Sequence, residues 1–357
     1  MTSQPSLRSL QCGRGLAAMA VVAFHLSLLL ADPRYLGQPV LLDFTRRGNL
    51  GVDFFFVLSG FIILFAHGRD IGRPEKLHGY LLKRFTRLYP AYWLYTAIFC
   101  SLVAVGVGST STLPTSLTDW ISTVFLLRID NFELPIVPAW TLIHEVAFYL
   151  VFSLLIVNRK LGIAAIALWM LPLLFIFEHR EEGARSALTT YFSPLNLNFL
   201  IGMGACLLYR KLGLSPAKGV FLAGIAAFAA TYAVEASGLS YDFTQILYAL
   251  SFGAIIAGAA AWERERRQPI SFGPLQLIGD ASYSIYLTHL AFLGLFSKIM
   301  MKLQGLVGLG PHVFYAIVFC LTVAAGCFLY VFVEKPVLKL CRRLLEGDRR
   351  QPAGATA

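Results

Sequence analysis

The 357-residue chain is poor in charge, since Asp, Glu, Lys and Arg make up only 14% of its residues. An average soluble protein has about 25% of such residues, so the scarcity excludes a sizeable soluble domain. The hydrophobic fraction is 57% and the mean hydropathy is +0.66. Apolar runs of about 18 residues or more recur along the whole length, which is the pattern of a polytopic membrane protein.

The six cysteines are few and scattered, and no CxxC pair occurs among them. They are interpreted as packing residues, neither zinc ligands nor a disulfide framework. The chain also lacks a Walker A loop, a GxSxG elbow and an HExxH helix, which excludes the commonest soluble phosphate-binding and hydrolase motifs. Two histidines in two apolar helices are too few for a metal site with ordinary ligands, so no metal is predicted.

Acidic residues are outnumbered by basic ones, 20 to 30, which gives a formal net charge of +10. In a soluble chain this excess would indicate nucleic acid, but in a membrane protein basic residues collect in cytoplasmic loops. With the N-terminus in the cytoplasm, most of the basic residues fall on that side, loop by loop. We therefore expect both termini to be cytoplasmic and expect no nucleic-acid partner.

The hydrophobic runs predict an all-α bundle of about ten transmembrane helices in a membrane core of residues 1–340. A cytoplasmic tail of residues 341–357, amphipathic and then disordered, is expected to follow the core. Residues 116–138 are expected to lie along the outer interface. The ten predicted spans are Cys12–Ala31, Gly51–His67, Leu88–Gly108, Ala139–Val157, Leu161–Phe177, Tyr191–Leu212, Lys218–Ala236, Tyr241–Trp262, Leu275–Met301 and Pro311–Val333.

The first predicted helix, CGRGLAAMAVVAFHLSLLLA, carries an arginine near its start and a histidine inside its apolar run, Arg14 and His25. Eleven residues turn an α-helix by about three revolutions, so both side chains leave the same face, ~16 Å apart along the axis. A lone buried histidine is usually structural. In this helix, the alignment of His25 with Arg14 on one face favours a functional site.

Two carboxylates also lie in predicted spans, where an unpaired charge is costly. Asp53 opens the second span, close to the expected depth of His25. It either orients the imidazole or caps its own helix, and the sequence leaves both open. Glu145, two turns below the start of the fourth span, is interpreted as catalytic or as ordering the site.

A basic cluster precedes the third span in the segment HGYLLKRFTRLYPAYWLY. Lys83, Arg84 and Arg87 are explained by the bias of basic residues toward the cytoplasm, or they form a phosphate clamp, since guanidinium groups bind phosphate oxygens in a bidentate way. Tyr89 begins an aromatic group that forms either an interfacial belt or the wall of a binding site. With Arg14 in the same leaflet, the cluster becomes a candidate anion site.

Six motifs occur in one order: Arg14-x10-His25, GVDFFFVLSGFII, RFTRLYPAYW, WTLIHEVAFYL, GDASYSIYLTHL and VEKP. This set resembles the acyltransferase 3 family of bacterial integral-membrane O-acyltransferases, over about residues 7 to 340. The resemblance implies transfer of an acyl group, usually acetyl, from cytoplasmic acyl-CoA to a carbohydrate hydroxyl. It also implies residence in the bacterial inner (plasma) membrane.

The family's key positions map onto His25 as the catalytic histidine, Arg14, and Arg84 with Arg87 at the acyl donor. Glu145 matches the acid of the family's W-S-L-x-x-E stretch, in which Thr141 replaces the usual serine.

The resulting hypothesis is that the basic residues hold acyl-CoA by its phosphates while the thioester reaches the histidine. Arg14, Lys83, Arg84 and Arg87, with Tyr89 beside them, form the expected acyl-CoA site. His25 acts as general base on the acceptor hydroxyl, and an acyl-histidine intermediate stays open. Asp53 or Glu145 orients His25. The acceptor, a carbohydrate or lipid-linked glycan, enters from the outer side or through the surrounding membrane lipids.

Two other classes of function remain open from the sequence. A proton-coupled transporter or flippase would use the buried His25, Asp53 and Glu145 as a proton relay. A structural membrane subunit would use the same residues only to hold helices together. Within enzymology, the acceptor could instead be a small glycoside, an antibiotic or a peptidoglycan sugar. The sequence does not determine the oligomeric state.

Overall fold

The computed structural model describes residues 7–107, 113–173, 186–235, 237, 241–266 and 273–346, and every regular element in these ranges is helical. The helices are α1 (Arg8–Ala31), α2 (Leu42–Thr45), α3 (Gly51–His67), α4 (Leu77–Ala104), α5 (Leu117–Phe125), α6 (Trp140–Val157), α7 (Arg159–Met170), α8 (Ala187–Tyr191), α9 (Leu197–Lys211), α10 (Leu214–Glu235), α11 (Tyr241–Arg264), α12 (Pro274–Asp280), α13 (Ser282–Val307), α14 (Pro311–Leu329) and α15 (Lys335–Glu346).

Within the described ranges, eight helical stretches are long and apolar enough to cross a membrane. The prediction of an all-α membrane bundle is therefore confirmed. Two of the ten predicted spans are not among the eight. Helix α4 has 28 residues, but basic residues occupy its first half. Helix α7 has 12 residues, and the predicted continuation of that span lies partly outside the described residues. The count of ten stays a prediction.

The ninth predicted span differs from the structure. It is two helices, since α12 ends at Asp280 and α13 begins at Ser282. Both belong to one apolar run, so hydrophobicity alone does not reveal the break. Helix α15 spans Lys335–Glu346, and the division into a core of residues 1–340 and a tail of residues 341–357 stays a prediction. The rest of that tail, residues 347–357, lies outside the described residues.

Helix α1 lies inside the bundle, in contact with α3, α11, α12, α13 and α14. Small residues allow these close approaches: a Cβ added to Gly279 of α12 would lie 2.0 Å from the carbonyl oxygen of Gln11. Val22, Leu26 and Leu30 of α1 are fully buried. Because these partners cover one side of the helix, Arg14, His25 and Ser27 face protein and the two cavities.

Helices α3 and α9 approach each other closely at two glycines. A Cβ on Gly60 would lie 2.0 Å from the carbonyl oxygen of Phe199, and one on Gly202 would lie 1.9 Å from that of Val57. In the membrane, where lipid tails are as apolar as the helices, such small-residue contacts supply much of the packing. The approach places Asn198 of α9 against Asp53 of α3.

Helix α5 is held to the middle of α4 by hydrogen bonds, and its expected position along the outer interface stays a prediction. Its last carbonyl groups accept hydrogen bonds from three side chains of α4, namely Tyr92 to Thr123 (2.8 Å), Trp93 to Val124 (2.8 Å) and Tyr89 to Phe125 (2.9 Å). These aromatic residues lie 11 to 15 positions before the last residue of α4, or ~16–22 Å along its axis. The C-terminal end of α5 therefore lies near the middle of α4, well short of the C-terminal end of that helix.

The start of α5 is also fixed. Ser116 and Asp119 form a capping box, in which each side chain satisfies a backbone N–H group of the other. Backbone hydrogen bonds from Ser116 and Thr115 lower the pKa of Asp119 to about 2. Both ends of this short helix are thus held by hydrogen bonds, which explains why it keeps its shape away from the main bundle contacts.

Candidate active site: two cavities along the first helix

A cavity of about 620 Å³ lies near the N-terminal end of α1, and we call it the basic cavity. Its volume falls in the range of small-molecule sites, ~300–1,000 Å³. Four cationic side chains line it together with one carboxylate, and these are Arg14, Lys83, Arg84, Arg87 and Glu145. The four basic residues predicted to act together therefore do meet, from α1 and α4.

A second cavity of about 280 Å³ lies farther along α1, and we call it the histidine cavity. Its polar lining residues are His25, Asn49, Asp53, Trp140, Gln245 and His289. Val52 and Tyr286 line both cavities. Because α1 runs unbroken from Arg14 to His25, the two cavities lie about three helical turns apart and share one wall.

Two polar atoms in the basic cavity lack partners. The Nε of Arg84 and the Oε1 of Gln11 are buried, and neither has a hydrogen-bond partner among the described residues. Arg14 is held in place, since its Nε donates to the Oγ of Ser282 (3.0 Å). The guanidinium of Arg84 lies 5.8 Å from the ring centre of Tyr149. The four cationic side chains that line this cavity suit it to an anionic ligand.

Arg87 is paired with a carboxylate from the far end of the chain. Its Nη1 donates to the Oε1 of Glu334 (3.0 Å), and the Oγ of Ser284 donates to the other carboxylate oxygen (2.6 Å). Glu334, which follows directly after the last predicted span, is fully buried. The positive charge of Arg87 is therefore balanced by the carboxylate of Glu334. Arg84 is better placed than Arg87 to bind an anionic ligand.

Glu145 lies in the basic cavity, away from His25. Its Oε1 accepts hydrogen bonds from Ser59 (3.3 Å) and from the hydroxyl of Tyr149. The expectation that Glu145 orients His25 differs from this geometry, because the residue faces the arginines. As a positioned acceptor beside three guanidinium groups, it is suited to amide or amino groups of a ligand.

Tyr89 also differs from its predicted place. It lies in an aromatic group with Phe85 and Trp93, with ring centres 5.2 and 5.4 Å away. Its hydroxyl donates to the carbonyl of Phe125 in α5, and it is absent from the lining of the basic cavity. The reason is geometric: residues two positions apart on a helix, such as Arg87 and Tyr89, point about 200° apart.

His25 is bonded to a backbone carbonyl and to a second histidine. Its Nδ1 lies 2.9 Å from the carbonyl oxygen of Val21 and 3.3 Å from the Nε2 of His289. The Nδ1 of His289 lies 2.6 Å from the carbonyl oxygen of Tyr286. His289 is almost fully buried, whereas His25 is half-buried at the cavity wall.

Asp53 lines the histidine cavity, as expected from its depth, but its hydrogen bonds go elsewhere. The Oδ1 of Asp53 accepts from Asn198 (2.8 Å) and from Gln245 (3.2 Å). The expectation that Asp53 orients His25 thus differs from this arrangement, since two amides hold the carboxylate. Asp53 joins α3, α9 and α11 at the floor of the cavity.

His289 and Tyr286 are the site residues that the sequence left without a role. Both belong to the motif GDASYSIYLTHL, so the signal was a second histidine in an apolar helix. Which face of α13 meets α1 is a tertiary property, so the sequence alone did not pair them. Within the described ranges, no group of three or more His, Cys, Asp or Glu residues could hold a metal ion.

Comparison with known proteins gives one family. A model of the acyltransferase domain matches residues 7–331, which is nearly the whole chain and includes both cavities. No solved structure matches the chain.

Curated relatives are similar over long stretches. An exopolysaccharide production protein, ExoZ of Rhizobium meliloti, is 28% identical over 322 residues, covering 84% of this chain and 93% of the relative. A putative peptidoglycan O-acetyltransferase, YrhL of Bacillus subtilis, is 26% identical, covering 91% of this chain and 54% of the relative. The peptidoglycan O-acetyltransferase OatA of Listeria monocytogenes is 25% identical, covering 91% and 55%.

This chain thus spans about half the length of the two peptidoglycan O-acetyltransferases and nearly all of the exopolysaccharide protein. The match over residues 7–331 covers the helices that build both cavities. The chain belongs to the acyltransferase-domain family and is a multi-pass membrane acyltransferase of the O-acetyltransferase type.

Proposed function

We propose that the protein transfers an acetyl group from acyl-CoA, bound in the basic cavity, to a carbohydrate hydroxyl in the histidine cavity. One observation carries the proposal. A single helix presents a cation to one cavity and an imidazole to the next, about three turns apart, and the two cavities share a wall. This matches a long substrate that is anionic at one end and reactive at the other.

The basic cavity would hold the phosphates of the donor. Arg84 contributes a guanidinium group to its lining, and Arg14 and Lys83 add charge. Hydrogen bonds to charged groups contribute about 1.5–3 kcal/mol each. Glu145 would accept from the amide or amino groups of the same ligand.

The chemical step would take place at His25. Its Nδ1 faces a carbonyl oxygen, which only accepts, so the Nδ1 carries the hydrogen and the Nε2 keeps the lone pair. The Nε2 takes the proton of the acceptor hydroxyl while its oxygen attacks the thioester carbonyl. The carbon–sulfur bond then breaks, and the thiolate takes that proton from His25.

The lining of the histidine cavity supports a hydroxyl-rich acceptor. Asn49 contributes a side-chain amide to the lining. Gln245 commits its amide N–H to Asp53, which leaves its oxygen to accept. Trp140 supplies an aromatic face. Acceptor atoms around an aromatic ring complement the hydroxyl groups and the apolar face of a sugar, and the exopolysaccharide and peptidoglycan relatives point to the same class.

Membership of the acyltransferase-domain family favours this enzyme over the transporter alternative. The hydrogen bonds of Asp53 and Glu145 agree with that preference. Asp53 is held by amides and Glu145 by hydroxyls in a different cavity, so they form no continuous relay with His25.

The central experiment measures acetyl transfer and thiol release by the purified protein in lipid nanodiscs. Acetyl-CoA is the donor, and water, glucose and N-acetylglucosamine are the acceptors tested. His25→Ala should lower the rate by ~10²–10⁴-fold, the contribution of a general base, with unchanged affinity for CoA. A variant that still transfers at the normal rate would contradict the proposed mechanism.

The acyl-donor site is tested by calorimetry with CoA. Arg84→Ala should weaken binding by about 10–100-fold, the equivalent of one lost charged hydrogen bond. Arg73→Ala is the matched control, since Arg73 is exposed, lies in the loop before α4 and lines neither cavity. Equal affinity of the two variants would place the phosphates elsewhere.

A further inference from the structure

The pair His25 and His289 has one consistent proton arrangement. Each Nδ1 faces a backbone carbonyl oxygen, Val21 at 2.9 Å and Tyr286 at 2.6 Å. A carbonyl oxygen only accepts hydrogen bonds, so both Nδ1 atoms carry hydrogen, and in neutral rings both Nε2 atoms keep lone pairs. The lone pair of His289 Nε2 then lies 3.3 Å from His25 Nδ1–H.

We propose that His289 is the positioning residue of His25, taking the place that a carboxylate has in a catalytic triad. The Nδ1–H of His25 is shared between the carbonyl of Val21 and the Nε2 of His289. This sharing holds the ring in the tautomer whose Nε2 lone pair faces the cavity. The role in transfer rests on the proposed function of His25, whereas the tautomer itself does not.

The surroundings of the pair support this assignment. His289 is 1% exposed, so it reaches the cavity only beside His25. Tyr286, one turn earlier on α13, is the other titratable group packed against it, with ring centres 5.8 Å apart. On α3, Asp53 lines the cavity, but Asn198 and Gln245 bind its Oδ1. Beside the backbone carbonyl of Val21, the imidazole of His289 is therefore the side-chain acceptor that lies within reach of His25 among the described residues.

The proton that His25 takes from the acceptor hydroxyl is released again in the same reaction, so the pair returns to its starting state. When the acceptor hydroxyl loses its proton to His25 Nε2, the ring becomes an imidazolium with hydrogen on both nitrogens. The charge strengthens the Nδ1–H bond to the lone pair of His289, because hydrogen bonds of charged groups are about twice as strong as neutral ones. Departure of the thiolate removes the Nε2 proton and restores the starting state.

The tautomer is tested without activity, by solid-state NMR of the protein labelled with ¹⁵N-histidine in lipid bilayers. The chain has seven histidines, and His25→Ala and His289→Ala assign the two signals. We expect His25 with a protonated Nδ1 and a bare Nε2, coupled to the bare Nε2 of His289. A His25 protonated at Nε2 would overturn the inference, whatever the enzyme transfers.

The positioning role is tested by two substitutions that differ in chemistry. His289→Gln provides an oxygen that accepts from His25, whereas His289→Phe preserves the ring and provides no acceptor. We expect kcat of thiol release to fall about 10–100-fold in His289→Phe and less in His289→Gln, with KM for acetyl-CoA within about twofold of wild type.

A purely structural role predicts the opposite order, since phenylalanine fills the space better in apolar surroundings. Equal rates, or a faster His289→Phe, would therefore refute the positioning role. His67→Phe is the control for losing a buried imidazole, because His67 is 2% exposed and lines neither cavity. If neither His289 variant folds, the test is whether added imidazole restores the thiol-release activity of His289→Ala. Restored activity supports the positioning role, and absence of recovery counts against it.

Discussion

Two buried carboxylates illustrate how the same side-chain chemistry is stabilised in two ways. Glu334 is held by a charge and a hydroxyl, from Arg87 and Ser284. Asp53 is held by two neutral amides. Breaking a buried ion pair from one side costs about 3–5 kcal/mol, since the remaining charge is left unpaired. Arg87 therefore contributes to stability as well as to the charge of the basic cavity.

Glu334→Ala should lower stability by about 3 kcal/mol, because Arg87 then keeps its charge without a partner. The free energy is measured by thermal or denaturant unfolding in nanodiscs. The double variant Glu334→Ala with Arg87→Met should recover most of the loss. A double variant no more stable than the single one would show that the pair contributes little.

Tyr89 separates a structural role from a role in binding the acyl donor. Tyr89→Phe removes one hydrogen bond to the carbonyl of Phe125 and should cost about 1 kcal/mol. Because the side chain lies outside the basic cavity, the affinity for CoA should equal that of wild type. Calorimetry that shows weaker binding would restore Tyr89 to the acyl-donor site.

At the scale of helices, backbone contact between α3 and α9 positions polar groups of both cavities. Gly60 and Gly202 meet carbonyl groups of the facing helix within 2.0 Å of where a Cβ would lie. α3 carries Asp53 to the histidine cavity and Ser59 to the basic cavity. A shift of α9 would therefore displace α3 and, with it, the side chains that α3 contributes to both cavities.

Gly202→Ala should destabilise the protein by about 1–3 kcal/mol, since the new methyl overlaps the carbonyl of Val57 and forces the helices apart. Gly204→Ala on the same helix is the control, because nothing lies within 4 Å of its Cβ position. Alanine favours helix by about 1 kcal/mol over glycine, so the control should be neutral or more stable. Hydrogen exchange or thermal unfolding distinguishes the two variants, and equal stabilities would contradict close packing.

In the whole molecule, the basic cavity and the histidine cavity follow one another along α1. The predicted orientation places the basic cavity toward the cytoplasm, where acyl-CoA is made, and the histidine cavity toward the outside. Tight glycine contacts and buried polar pairs fix the helices around this path. The proposed function therefore requires this orientation as well as these residues.

Orientation is measured by single cysteines in a chain whose six native cysteines are replaced. Arg34→Cys, in the exposed turn after α1, should react with an impermeant maleimide added to intact cells or spheroplasts. Lys76→Cys, exposed before α4, should react only after permeabilisation. The reverse pattern would put the basic cavity outside and remove it from cytoplasmic acyl-CoA.

Several features follow from local chain geometry and were available from the sequence. The long apolar runs determine an all-α membrane protein, because only helices and closed barrels satisfy backbone groups in lipid. Helix geometry determines that Arg14 and His25 share a face, and that the basic residues of α4 lie near its start. The order of the motifs was sufficient to recognise the family.

Contacts between distant helices were decided only by the tertiary structure. In that structure His289 contacts His25, and Arg87 forms an ion pair with Glu334. Glu145 faces the basic cavity, and Tyr89 donates a hydrogen bond to α5. In a membrane protein, lipid-facing and buried faces are both apolar, so hydrophobic periodicity does not reveal which faces meet. Partners of polar side chains are chosen by helix packing, and that packing is set by small residues and hydrogen bonds scattered along the whole chain.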